Sequence, residues 1–230
     1  GRADTGLIPQ LTPSLQRYAQ CFEPMRKSTI ITILIFCLPY SCLAQKEYLE
    51  PAPEYLTPPE WKKNYYDTLF PLLFKGFTLQ PYARYWVSVS FGKEYSFSVE
   101  KEDQKFYILS NSLSSSVWYY RRIGKIKVHT SKTEIEESLF LSIGELFKVL
   151  IDSSRSPSEL RYGSDGNIYY FQTTSPSSQI ITGKTWSPAN GTLLARLVIL
   201  CDRLYKIGKG DSYDEEEINA VVKDITKQLL

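Results

Sequence analysis

Between residues 84 and 110 the chain alternates apolar and polar positions with a period of two. Tyr85, Val87, Val89 and Phe91 alternate with Trp86, Ser88 and Ser90. After Gly92 and Lys93, Tyr95, Phe97 and Val99 alternate with Ser96, Ser98 and Glu100. Successive side chains of a strand point to opposite faces, so this pattern predicts an antiparallel hairpin with one packed face and one serine-bearing face. Glu102 and Asp103 turn the chain into a third run, 105–110. Ser112 to Ser116 reads as a polar loop, and 117–122 and 125–129 read as two further strands broken at Gly124. The expectation is a meander of about four or five strands.

The period then changes to that of a helix. Ile135, Leu139, Ile143, Leu146, Phe147 and Leu150 form a single apolar stripe suited to lie on the sheet. Thr133 and Glu136 have the spacing of a capping box, and Glu134 and Glu137 add the charge a helix N-terminus favours. Ser164 to Asn167 carries a hairpin turn signal, with 168–173 and 179–182 as its continuing strands. Ser187-Pro188 suits a helix start. Leu193, Leu194, Leu197, Val198, Cys201, Leu204 and Tyr205 give that helix a wide apolar face, and Gly208 and Gly210 close it. Ser212 and Glu215 suit a second capping box before the last stripe, Ile218, Val221, Val222, Ile225 and Leu229. A shorter helix over 60–74 would pack Trp61, Tyr65, Leu69 and Leu72 on one side, limited by Pro71. The predicted fold class is α+β: an antiparallel β-meander sheet packed against two or three amphipathic α-helices, in a single domain over 61–230. An extended lead-in over 45–60, with Pro51, Pro53, Pro58 and Pro59, precedes it.

Residues 25–44 have the pattern of a signal peptide. Arg26 and Lys27 form a basic n-region, Ile30 to Leu38 an apolar h-region, and Cys42 and Ala44 place small residues before a cut that leaves Gln45 at the new N-terminus. Residues 1–24 then read as an upstream extension outside the fold. Two rivals to cleavage between Ala44 and Gln45 are lipidation of Cys42 and retention of the run as a membrane anchor, which Pro39 and Ser41 disfavour. The expected location is exported, periplasmic or extracellular, and the membrane is reached only through an uncleaved leader or a lipidated Cys42.

Removing the leader changes the charge balance. Residues 1–44 hold four basic and two acidic residues of the chain's 27 and 25, so 23 of each remain. A neutral domain lacks the electrostatic footprint of a nucleic-acid binder. The Arg121-Arg122 pair beside Trp118, Tyr119 and Tyr120 reads as a strand end and not as a phosphate clamp. Of the cysteines, Cys21, Cys37 and Cys42 fall within 1–44, and Cys201 alone lies beyond. A domain without them makes no intrachain disulfide and no multi-cysteine zinc site.

Several segments together resemble small exported proteins of unknown function from gut Bacteroidetes. They are the helix Leu139–Phe147, the run Asp165–Phe171, Gly183–Pro188, and the apolar helix 193–205. The Cys42-Leu-Ala-Gln45 leader ending is similar to leaders of that group. The resemblance spans roughly 80–207. It implies an exported compartment and an α+β architecture, and carries no catalytic residues.

Candidate chemistry is sparse. Gly183-Lys184-Thr185 lacks the glycine a phosphate loop needs five residues earlier, where Ser178 stands, and Trp186-Ser187-Pro188 interrupts the required helix. Gly183 then turns the chain and Trp186 plugs the core. His129, the sole histidine, sits in a run with Lys125 and Lys127, as on an exposed strand face, and no Gly-x-Ser-x-Gly elbow supplies a nucleophile. Cys201 lies on an apolar helix face as a small hydrophobe. Asp152, Glu159, Asp165 and Asp202 could supply a carboxylate pair for glycoside hydrolysis only if the fold brings two together. No metal or cofactor is expected. The function expected is therefore a non-enzymatic binding or envelope accessory protein acting on a protein or glycan, with a small carboxylate-dependent hydrolase on glycan as the alternative. Neighbouring aromatics on a strand must place one side chain outward, which makes Tyr119, Tyr120, Tyr169 and Trp186 the candidate binding surface.

Overall fold

The computed structural model describes residues 48–119, 125–156 and 165–230. They lie within one compact unit, Glu47–Leu230. Seven strands form one antiparallel sheet: β1 (Glu50–Pro51), β2 (Ala83–Ser88), β3 (Tyr95–Glu102), β4 (Lys105–Leu113), β5 (Val128–Ile135), β6 (Ile168–Thr174) and β7 (Ile180–Trp186), in the order β1-β7-β6-β2-β3-β4-β5. The chain from β2 to β5 is the expected meander. The β6–β7 hairpin returns to the free side of β2, so that Tyr85 lies between Phe97 and Phe171. Four α-helices occur among the described residues: α1 (Glu60–Leu73), α2 (Glu137–Asp152), α3 (Leu193–Gly208) and α4 (Glu215–Leu229).

One sheet face packs as the apolar period requires. Tyr85, Val87, Phe97, Val99, Ile108 and Phe171 meet the stripes of α2, α3 and α4 in one core. Two glycines allow close approach there. A β-carbon on Gly144 of α2 would stand 2.1 Å from the Tyr82 ring, and one on Gly208 would stand 2.1 Å from Ser110 Oγ.

The serine-bearing face is not solvated, contrary to the one-sided hairpin expected from the alternation. α1 lies on it and buries Tyr66, Leu69 and Leu73 against Trp86, Leu113 and Tyr170, with Trp86 stacked on Tyr170 at 3.8 Å. The last carbonyls of a helix have no partner within it, and the sheet supplies them. Ser96 Oγ donates to the Leu73 carbonyl at 2.8 Å, and Asn111 Nδ2 donates to the Leu73 and Lys75 carbonyls at 2.9 Å each. Beyond α1, Arg84 is buried over the Phe74 and Phe77 rings and donates to the Thr78 carbonyl, while the Thr78 N–H donates to Glu100. Two buried charged side chains thus strap the α1–β2 connection to the sheet.

Several boundaries differ from the sequence expectation. Thr133 is not a helix cap. It lies in β5, which begins at Val128 and not at Lys125, and its hydroxyl donates to the Ile207 carbonyl at 2.7 Å. α2 starts after Glu136 without a side-chain cap. Ser187-Pro188 does not open α3. Ser187 has a φ of 33°, and Thr192 caps the helix by accepting from the Ala195 N–H. Asp214, not Ser212, caps α4. The hairpin turn between paired strands is at Ser175–Gln179, with Ser178 at φ 63°, and not at Asp165–Asn167. Gly183 is mid-strand, paired with Phe171, and it makes room for Leu49. Residues 117–119 form a turn and no strand, and 120–122 lie outside the described residues.

Candidate functional site

Large aromatic side chains gather at the end of the sheet where β2 leads into β3. Trp61 is 69% exposed, Trp118 54%, Tyr119 58% and Phe91 79%. Trp61 lies in the first turn of α1 and meets Trp118 nearly at right angles, with centroids 6.5 Å apart and an angle of 84°. Tyr65, one turn along α1, stands edge-on to Trp118 at 5.2 Å. The Tyr119 hydroxyl donates to the Ser90 carbonyl, beside Phe91. The Ser90 hydroxyl in turn donates to the Gly166 carbonyl, and Gly166 lies against the indole of Trp186, which is 42% exposed. Trp61, Tyr65 and Trp118 are thus in ring contact, and hydrogen bonds through Ser90 tie Tyr119 to the loop before β6 and so to the end of β7.

The organiser of this end is Glu94, 1% exposed just before β3. Its Oε1 accepts from Tyr65 Oη at 3.0 Å and Ser116 Oγ at 3.1 Å, and its Oε2 accepts from the Val117 N–H at 3.1 Å. Ser116 Oγ also accepts from the Trp118 N–H at 3.2 Å. One buried carboxylate thus fixes both the α1 side chain behind Trp118 and the loop that presents it. Burial, with the Glu94 charge second, pushes the Tyr65 phenol far up, so it stays a neutral donor.

The residues singled out from sequence divide. Tyr119 and Trp186 are exposed at this end, so Trp186 does not plug the core. Tyr169 is half-buried on the other sheet face, stacked near Tyr85 at 6.3 Å. Tyr120 lies outside the described residues, as do Ala44 and Gln45. Trp61 was expected on the packed side of its helix but faces out, because Tyr66, Leu69 and Leu73 form the buried stripe. Phe91 was expected to continue the packed face of the hairpin but is exposed beyond the end of β2, Trp118 was read only as part of a strand over 117–122, and Glu94 was not singled out.

The other chemical groups are engaged elsewhere. Asp202 Oδ1 accepts from Tyr85 Oη at 2.9 Å and Tyr95 Oη at 2.8 Å, pinning α3 to the sheet. Burial raises its carboxyl, opposed by those two hydrogen bonds and by Lys206, and no second carboxylate is among the groups acting on it. Asp152 and Asp165 are exposed, and Glu159 lies outside the described residues. His129 is exposed on β5. Burial drives the Cys201 thiol well up. Lys184 lies in β7 and pairs with Glu54, a strand setting in which the Gly183-Lys184-Thr185 amides cannot wrap a phosphate. Two open surface hollows, of about 480 and 210 Å³, lie away from the aromatic end. Among the described residues no group of three or more His, Cys, Asp or Glu is placed to hold a metal ion, and no helix is long and apolar enough to cross a membrane.

Compared with protein-family models, with curated proteins and with solved structures, the chain finds no match.

Proposed function

We propose that the protein is an exported, non-enzymatic binding protein that holds a partner protein through the aromatic end of its sheet. The carrying observation is the rigid exposure of Trp61, Trp118 and Tyr119 around the buried Glu94. Exposed tryptophan and tyrosine held in one geometry have the composition of an interface hot spot, because large rings bring contact area with little entropy to lose. The 84° angle between the two indoles makes a corner that receives a protruding side chain, whereas a glycan strand stacks on coplanar ring faces. The signal-peptide pattern over 25–44 and the resemblance of the sequence to small exported proteins of gut Bacteroidetes support a partner outside the cytoplasm. The hydrolase alternative draws no support from Asp202, whose oxygen is taken by two tyrosines.

The test is quantitative capture of the partner from envelope and secreted fractions of the host, comparing wild type with W61A/W118A. Each hot-spot tryptophan is worth about 2 kcal/mol, roughly thirtyfold in Kd, so the double variant loses capture while its melting curve stays cooperative. Equal capture by both proteins refutes the reading. The mass of the exported form, expected to begin at Gln45, tests the compartment separately.

A further inference from the structure

We propose that β5 is an association edge, and that a second copy of this chain pairs with it across a two-fold axis. Among the described residues β5 is the last strand of the sheet, bonded only to β4, and its eight residues are in unbroken register from Val128 opposite Leu113 to Ile135 opposite Phe106. Such a strand presents a row of unpaired backbone N–H and C=O groups. The opposite edge is finished differently. There β1 covers β7 at Gly183 and Lys184, and the Ala52 N–H donates to the Thr182 carbonyl at 2.9 Å. Strands that remain single are commonly short, bulged, broken by proline or guarded by a projecting lysine. β5 is long and regular. Its lysine, Lys132, is drawn back onto the sheet, paired with Glu102 and 3.7 Å from the Tyr107 ring centroid.

The order of charges identifies the occupant. Lys125 and Lys127 precede the strand and His129 is its second residue, whereas Glu134 is its last but one and Glu136 and Glu137 follow it. Antiparallel pairing with itself brings the basic start of each copy beside the acidic end of the other. A two-fold normal to the sheet keeps each face on its own side, so only residues of the same face can meet. Centring the axis on Thr133 sets Lys132 of each copy opposite Glu134 of the other and carries His129 towards Glu137. Centring it on Lys132 opposes the two lysines, and centring it on Ser131 sets Lys132 against Thr130. The Thr133 register is the one of these three that sets Lys132 opposite Glu134, and pairing requires each to turn from its partner within the chain, Glu102 or Lys105, towards the seam. Opposite charges directly across a strand pair stabilise it, and like charges destabilise it. Glu134, Glu136 and Glu137 also line the 480 Å³ hollow with Glu215, so the end of the edge that His129 of the second copy approaches is acidic. The edge shares no residue with the aromatic end.

Sedimentation velocity across a wide micromolar range tests this. The wild type is expected to show a concentration-dependent dimer. K132E places glutamate opposite Glu134, and E134K places lysine opposite Lys132, so each single reversal raises the dimer Kd by roughly tenfold or more. The swap K132E/E134K restores both pairs and returns the Kd towards that of the wild type. These side chains are exposed and their pairs within the chain, with Glu102 and Lys105, contribute little, so melting curves of all three variants stay close to the wild type. A wild type that remains monomeric throughout overturns the proposal. So does a dimer indifferent to both single reversals, or one that the swap fails to restore.

Discussion

Replacing Glu94 tests how the aromatic end is held. The side chain is buried, and its two oxygens accept from Tyr65, Ser116 and the Val117 N–H at 3.0–3.1 Å. Glu94→Ala leaves these three donors without their acceptor. A hydrogen bond to a charged group contributes about 1.5–3 kcal/mol, and entering water recovers part of each. The net cost is then about 3–5 kcal/mol. At about 2–4 °C per kcal/mol for a domain of this size, Tm falls by roughly 6–20 °C. Glu94→Gln keeps one acceptor oxygen for the rotatable hydroxyls but turns an NH₂ towards the Val117 N–H or one of them, and costs about 1–2 kcal/mol. Urea unfolding followed by circular dichroism gives both values. The near-ultraviolet tryptophan signal should weaken in E94A, because Trp118 loses the loop that orients it. An E94A protein within about 1 kcal/mol of wild type, with an unchanged tryptophan signal, refutes this reasoning.

Other predictions rest on separate contacts. Gly144→Ala drives a methyl group into the Tyr82 ring and costs about 1–3 kcal/mol. In a Y82A background the same change costs nothing measurable, and an undiminished cost there removes Tyr82 as the cause. Burial raises the Asp202 carboxyl above the ordinary aspartate value of 3.8. The native state then keeps a proton that the unfolded chain releases, so this group's stabilising contribution is full below about pH 4 and is lost as pH rises through the folded value. The Tm difference between wild type and D202N should therefore be most favourable to wild type at acid pH and shrink towards neutrality, and a difference that grows with pH contradicts it. Cys201 is fully buried, so a thiol reagent should label it only at the rate at which the domain opens, and fast labelling of the native protein would show the helix face to be accessible.

The parts of the fold legible in sequence were those with a clean period. The β2–β3 hairpin followed from Tyr85 to Val99, and α2 followed from the Leu139–Leu150 stripe. What the alternation concealed was the second packed face. Ser96 and Ser98 looked solvated, yet a serine that satisfies a helix carbonyl is buried as readily as an apolar residue, and the carbonyl that Ser96 meets, that of Leu73, belongs to an element 23 residues away. Local polar motifs misled in the same way. Thr133 and Glu136 have capping-box spacing, but Ile135 was already committed to β5 and the core, so the strand ran through the motif. At the site, Tyr119 was legible as an outward aromatic, whereas Trp186 was read both as a core plug and as a surface ring, and only the second holds. Glu94 was not legible, since three donors from α1 and a loop converge on it only in three dimensions, and Trp61 was assigned to the wrong side because the buried stripe of α1 is offset by one residue.

The claim that the aromatic end binds a protein is tested most directly by site-specific photo-crosslinking in the host. A photoreactive amino acid would be placed at Trp118, at Trp61, and as a control at Ile199, which is exposed on α3. The account predicts one discrete adduct shared by positions 61 and 118 and absent at 199. No adduct at either tryptophan position, or the same adduct at all three, would contradict it.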